Sequence, residues 1–153
     1  MLQFRARNVP GVRSPAPAST LIRVRIEYTT SLHGVEPAHL DGFFEGWPSP
    51  PSPEQHLEIL EGSHRVMLAR EAGSAQIIGF ANAISDGTLT AFIPLLEVRP
   101  THRGQGIGSE LMQRLLDELN EFYAVDVICD PELVPFYERF GMRKSVGMAI
   151  RRP

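Results

Sequence analysis

Three glycines alternate within five positions of this chain, Gly104, Gly106 and Gly108, behind Arg103 and ahead of an amphipathic stretch. Glycine costs a helix about 1 kcal/mol relative to alanine. A chain that opens a helix with three of them leaves backbone bare, so that something other than protein can reach it. The segment "TAFIPLLEV" (90–98) before them reads as a strand, and Leu111, Met112, Leu115, Leu116 and Leu119 after them form one helical stripe. Free N–H groups at a helix start, aided by the helix dipole, attract anions. Arg103 adds a cation suited to phosphate oxygens.

The remaining elements alternate between strand and helix. "LIRVRIEYT" (21–29) reads as a first strand, "PAHLDGFFEGW" (37–47) as a short helix, and "RVMLARE" (65–71) and "QIIGFANAI" (76–84) as strands joined by a turn around Gly73. The helix after the proline-rich loop 48–52 carries its own start signal: Ser52 at the N-cap, Pro53 at the first helical position and Gln55 three residues beyond Ser52. "AVDVICD" (124–130) reads as a strand, "PELVPFYERFG" (131–141) as a short helix, and "MRKSVGMAIRR" (142–152) as a terminal strand or hairpin. Pro94 cannot donate a ladder hydrogen bond, so it argues for an edge or a bulge within its strand. The class is mixed α/β, and no repeat is visible.

With 153 residues the chain suits one domain with a real core. A net charge of −3 gives no reason to expect nucleic acid or an anionic membrane as partner. Cys129 is the single cysteine, which rules out an intrachain disulfide and fits a reducing cytoplasm. Histidines 33, 39, 56 and 64 lack metal-ligand spacing, so no metal is expected. Residues 1–20 hold Arg5, Arg7 and Arg13 and no acid. They read as a flexible or docking arm ahead of a domain over 21–153, although an organellar transit peptide has a similar composition.

Three phosphate cradles compete for the glycines. A P-loop needs a lysine after its last glycine, and Gly108-Ser109 lacks it. The dinucleotide fingerprint is G-x-G-x-x-G, whereas the spacing here is G-x-G-x-G. The third, Arg-x-x-Gly-x-Gly, is met by Arg103, Gly104, Gln105, Gly106, Ile107 and Gly108, and is a coenzyme A pyrophosphate loop. At "LLEVRPTHRGQGIGSELM" and "VPFYERFGM" the chain resembles the GNAT superfamily of acyl-CoA-dependent N-acetyltransferases, over roughly 21–151 in element order. The short stretches "GWP", "SDG" and the final "GM" are similar to the group containing plastid arylalkylamine and protein N-acetyltransferases.

The resemblance implies a central mixed, mostly antiparallel sheet flanked by helices and splayed at a CoA cleft. It implies that Leu96 and Val98 offer strand backbone to the pantetheine arm, that residues 103–108 hold the pyrophosphate, and that Tyr137 protonates the departing thiolate. The implied reaction is direct acetyl transfer from acetyl-CoA to a primary amine, on a small molecule or peptide, in a cytoplasmic homodimer. A non-catalytic acyl-CoA-binding module on the same scaffold is the alternative. Asp130 is a candidate base, or equally an N-cap for the helix beginning near Pro131. Glu97 is the rival base, or an ion-paired residue near Arg99. Asp86 reads as a turn residue before Gly87, Cys129 as a small apolar residue, and Phe43, Phe44 and Trp47 as core or as the wall of an acceptor site.

Overall fold

The computed structural model describes residues 24–151. The proposed arm over 1–20 and the start of the expected strand over 21–29 lie outside them. Five strands form one sheet in sequence order: β1 (Ile26–Thr29), β2 (Arg65–Glu71), β3 (Ile77–Ser85), β4 (Thr90–Val98) and β5 (Ala124–Val127). The helices are α1 (Pro53–Glu61), α2 (Ile107–Glu118) and α3 (Val134–Glu138). β1 to β4 pair antiparallel, and β5 runs parallel to β4. A parallel partner requires a crossover, and α2 is that crossover. The sheet is therefore mixed and mostly antiparallel, as expected.

Local chemistry sets the helix starts. Gln55 N–H donates to Ser52 Oγ at 3.3 Å and Ser52 N–H donates to Gln55 Oε1 at 2.9 Å, so α1 begins with the reciprocal cap its sequence announces. The expected helix over 37–47 shrinks to one 3-10 turn, Pro37–Leu40. Gly42, Phe44 and Gly46 have φ of 81°, 60° and 80°. A left-handed residue at every second position cannot propagate a right-handed helix. At the other end, β5 stops at Val127, and residues 142–151 form no strand. Val146, Met148 and Ile150 alternate as a strand would, yet they are 95%, 94% and 83% exposed. Alternation makes a strand only beside a hydrogen-bonded neighbour. Among the described residues no helix is long and apolar enough to cross a membrane.

The sheet is covered on both faces. On one, Leu111, Met112 and Leu115 of α2 pack at 0% exposure over Ala69, Ala81, Ala91 and Ile93. On the other, Leu40, Phe44 and Leu60 pack over Leu68, Ile77 and Phe80. Each fully buried aliphatic or Phe side chain contributes roughly 1.5–3 kcal/mol. Gly79 lets α2 sit close: a Cβ there would lie 3.0 Å from Leu111 Cδ1 and 3.2 Å from the Glu97 carbonyl oxygen.

Pro94 marks a bulge, as its chemistry suggests. Asn82 pairs with Leu95 and Ile84 with Phe92, so β4 spends one more residue than β3 between these rungs. Ala91 and Ile93 before the bulge, and Leu96 and Val98 after it, all lie against the α2 face. β4 pairs with β5 only from Thr90–Ala124 to Ile93–Val127. Beyond the bulge the two strands part.

Candidate active site

The gap between β4 and β5 begins where the bulge ends. Arg99 N–H donates to the Ile78 carbonyl at 2.8 Å, which turns the preceding carbonyl, that of Val98, away from β3. Backbone groups of successive strand residues point to opposite edges. The main-chain groups of Leu96 and Val98 therefore face the gap, while those of Leu95 and Glu97 face β3. The Val98 carbonyl meets Arg103 Nε at 3.0 Å from the gap side.

The glycine turn lies just past this strand end. Gly104 and Gly106 have φ of 74° and 83°, a conformation that L side chains rarely adopt, and a Cβ on either would meet nothing within 4 Å. Gly106 is the N-cap of α2, and no side chain caps the helix. Its first bond runs from Glu110 N–H to the Gly106 carbonyl at 3.1 Å, so the N–H groups of Ile107, Gly108 and Ser109 have no intrahelical partner. Ile107, 3% exposed, anchors the turn in the core, while Gln105 is exposed. Gly108 stands over Val98, its Cβ position 3.6 Å from Val98 Cγ2. Arg103 also approaches Glu45, Nη1 to Oε2 at 3.5 Å. His102 is held between Thr101 and Glu71.

A second cation reaches the turn from far along the chain. Arg139, after α3, donates to Ser109 Oγ at 3.2 Å and lies 4.9 Å over the Phe136 ring. No local pattern announces it, because the contact spans 30 residues.

Two titratable groups near this end of β4 lie on opposite faces of the sheet. Tyr137 on α3 is 9% exposed and packs in the cluster that Leu96, Val98 and Cys129 also join. Burial raises its phenol pKa, and the Cys129 thiol acts in the same direction. The hydroxyl therefore holds its proton. Glu97 points to the other face, where Phe44 N–H donates to its Oε2 at 2.9 Å. Burial lifts this carboxyl above its usual range, with the Phe44 amide and Arg103 opposing. The anticipated ion pair with Arg99 does not form. Arg99 donates instead to the Asp41 carbonyl and the Gln76 side chain.

The left-handed backbone of Phe44 is uncommon for a bulky residue and costs on the order of 1–3 kcal/mol. It aims that N–H at Glu97 while seating the ring at 4% exposure. Asp130 is exposed and occupies the N-cap of the 3-10 turn Pro131–Leu133, but its carboxylate makes no cap bond; its carbonyl accepts from Leu133 N–H at 2.9 Å. Asp86 is a turn residue: its carboxylate accepts from Thr88, Leu89 and Thr90, and these amides, Thr88 first, lower its pKa.

On the α1 side the bulge opens onto a cleft of about 880 Å³ between the loop 44–51, α1, β3 and β4. Trp47, 49% exposed, forms part of its wall. Among the described residues no group of three or more His, Cys, Asp or Glu could hold a metal ion.

The arrangement sets a bare helix start next to the unpaired end of a strand, with a buried phenol on one face of the sheet and a half-buried carboxylate on the other. Comparisons with known proteins give the family. The model of the acetyltransferase (GNAT) family matches residues 32–142. A candidate acetyltransferase of Deinococcus radiodurans R1, solved by crystallography, is 53% identical with a TM-score of 0.80, covering 83% of this chain and 88% of that one. The "uncharacterized N-acetyltransferase" of Porphyra purpurea is 26% identical over 65% of this chain and 59% of its own length. This chain thus spans about three fifths of that curated relative. The serotonin N-acetyltransferase of Mesocricetus auratus is 44% identical over 40% of this chain and 30% of its own.

Proposed function

Because the chain belongs to the GNAT family of acetyltransferases, we propose that it is an N-acetyltransferase that moves an acetyl group from acetyl-CoA to a primary amine in a ternary complex. The observation that carries this reading is the junction of the uncapped α2 start with the unpaired edge of β4. In this reading residues 103–108 hold the pyrophosphate on the free N–H groups of Ile107, Gly108 and Ser109. Arg103 and Arg139 supply the countercharge, and Leu96 and Val98 hold the pantetheine amides. A turn whose Gly104 and Gly106 would meet nothing on gaining a Cβ has room for phosphate against the backbone.

When bound, acetyl-CoA supplies an acetyl group activated as a thioester. The chain's own groups do the rest. An N–H on the gap edge of β4, such as that of Val98, polarises the carbonyl. The amine forms the C–N bond as the C–S bond breaks. Glu97, or Asp130 through water, takes the proton that the amine loses, and Tyr137 gives its proton to the thiolate. Holding both reactants at the gap lowers the barrier by proximity. The proposal includes a homodimer, supported by the exposed alternation of Val146, Met148 and Ile150 and by β5 lying at the end of the strand order.

Calorimetric titration with acetyl-CoA tests this reading, with desulfo-CoA and NAD as comparisons. Binding shared by the two CoA compounds and absent for NAD is expected, and Arg103→Glu weakens it. No CoA binding would overturn the assignment. Binding without thiol release on any amine would make the chain a sensing module instead.

A further inference from the structure

Of the exposed large hydrophobic residues, Trp47, Ile59 and Ile84, at 49%, 37% and 47% exposure, line the same cleft on the α1 side of β4. Clustered apolar exposure in a concavity marks a ligand site far better than scattered exposure does. Leu95, the residue that resumes pairing after the bulge, forms part of its floor beside Pro94. The cleft therefore abuts the place where β4 leaves β5.

Its polar content is sparse and specific. Asn82, 1% exposed, lines the cleft and pairs across the sheet with Leu95. Its amide nitrogen donates to Ser63 Oγ at 2.8 Å, whereas its Oδ1 is buried without a partner. A buried acceptor left unmade costs about 1–3 kcal/mol, and one set in the wall of a cleft suits a donor brought by a ligand. The single charged residue in the wall is Glu58, exposed on α1.

We propose that this cleft is the acceptor subsite and that it takes a small monoamine carried on an aromatic or branched aliphatic body. The apolar walls hold the body, with Trp47 over the flat group. Asn82 Oδ1 accepts a hydrogen bond from the amine nitrogen and directs it toward the gap, as a positioning residue. Glu58 attracts the incoming ammonium. A polyamine or amino sugar of several charges would leave all but one of them without a carboxylate in the wall. This inference rests on the acetyl-transfer reading above.

The test measures thiol release at saturating acetyl-CoA with 2-phenylethylamine, isoamylamine, spermidine and glucosamine as acceptors. Calorimetry of the same amines in the presence of desulfo-CoA reads binding without turnover. The expected result is a kcat/KM for 2-phenylethylamine at least about 30-fold above spermidine, which brings unmatched charges, and above glucosamine, whose hydroxyls meet apolar walls. Trp47→Ala raises the KM for 2-phenylethylamine about 10-fold and leaves acetyl-CoA affinity unchanged. Asn82→Leu removes an orphaned acceptor, so it keeps or raises the melting temperature while raising the amine KM. A residue serving only structure would not separate those two readings. Equal or better turnover of spermidine, or an amine KM that neither variant moves, would overturn the subsite while acetyl-CoA binding stood. Loss of acetyl-CoA binding by the wild-type protein would overturn the parent reading, and this one with it.

Discussion

At the scale of single residues, burial sets the titration behaviour. Tyr137 holds its proton because burial raises its pKa, so it is suited to giving that proton up only to a developing thiolate. Tyr137→Phe is expected to lower kcat by about 10- to 100-fold with acetyl-CoA affinity nearly intact; affinity lost in step with kcat would make it a packing residue. Glu97 must be ionised to accept a proton, and burial raises its pKa. The acid limb of kcat, read at saturating amine, is therefore expected above the ordinary glutamate range, and to vanish in Glu97→Gln. A limb that survives that change would point to Asp130 or water.

His56 is a third case. It is 1% exposed among Phe43, Phe44 and Phe80, and neither ring nitrogen has a hydrogen-bond partner. Burial lowers its pKa from 6.5 to about 4; the Leu40 carbonyl opposes the shift without reaching bonding geometry. Above pH 6.5 the ring is neutral folded and unfolded. Below it the unfolded chain takes a proton that the native ring refuses, so up to about 3 kcal/mol of stability is lost as pH falls toward 4. Glu97, raised instead, acts with the opposite sign. Urea unfolding of wild type and His56→Leu at pH 7 and 4.5 isolates the histidine: the gap between them should shift in favour of the variant at the lower pH.

At the scale of elements, the fit of α2 on the sheet governs the cradle. Gly79→Ala would push a methyl into Leu111 and the Glu97 carbonyl. It is expected to cost about 1–3 kcal/mol by overpacking and to weaken acetyl-CoA binding, because Ile107 at the start of α2 lies 3.3 Å from the same position. Unchanged binding in a destabilised variant would separate helix fit from cradle geometry. Elements whose cause is local were legible in the sequence: the Ser52 cap, the Pro94 bulge, and the strand, turn and helix around the glycines. The helix expected over 37–47 was not, because φ at Gly42, Phe44 and Gly46 answers to contacts such as Phe44 N–H on Glu97, 53 residues away. Asn82 reads as one more strand residue until Leu95 and Ser63 stand beside it. The contact of Arg139 with Ser109 is invisible for the same reason.

At the scale of the molecule, partnership turns on the C-terminal end. Residues 142–151 carry Arg143, Lys144 and Arg151 along with the exposed alternation, and β5 and its extension carry Asp126 and Asp130. Gly147 already lies near Ile128, its Cβ position 3.5 Å from Ile128 Cγ1. In the proposed dimer these surfaces meet between copies. Light scattering should give twice the 17.0 kDa chain mass, and truncation after Met142 should return the monomer. A monomer at full length would remove the dimer from the proposal and leave the gap chemistry untouched.

The bulge at Pro94 works as a frameshift written in the pleat of β4. Deleting that one residue would alter almost nothing in composition, and it would leave every later side chain on its present face: Ile93 and Leu96 would stand two apart, in unbroken alternation opposite β3. What would go is the break itself. β4 would run straight past Ile93, with nothing in its own pleat to turn it from β5 where the two strands now part. The extra residue is thus spent on the edge of the strand and not on its faces, and the width of the gap is written in a residue count.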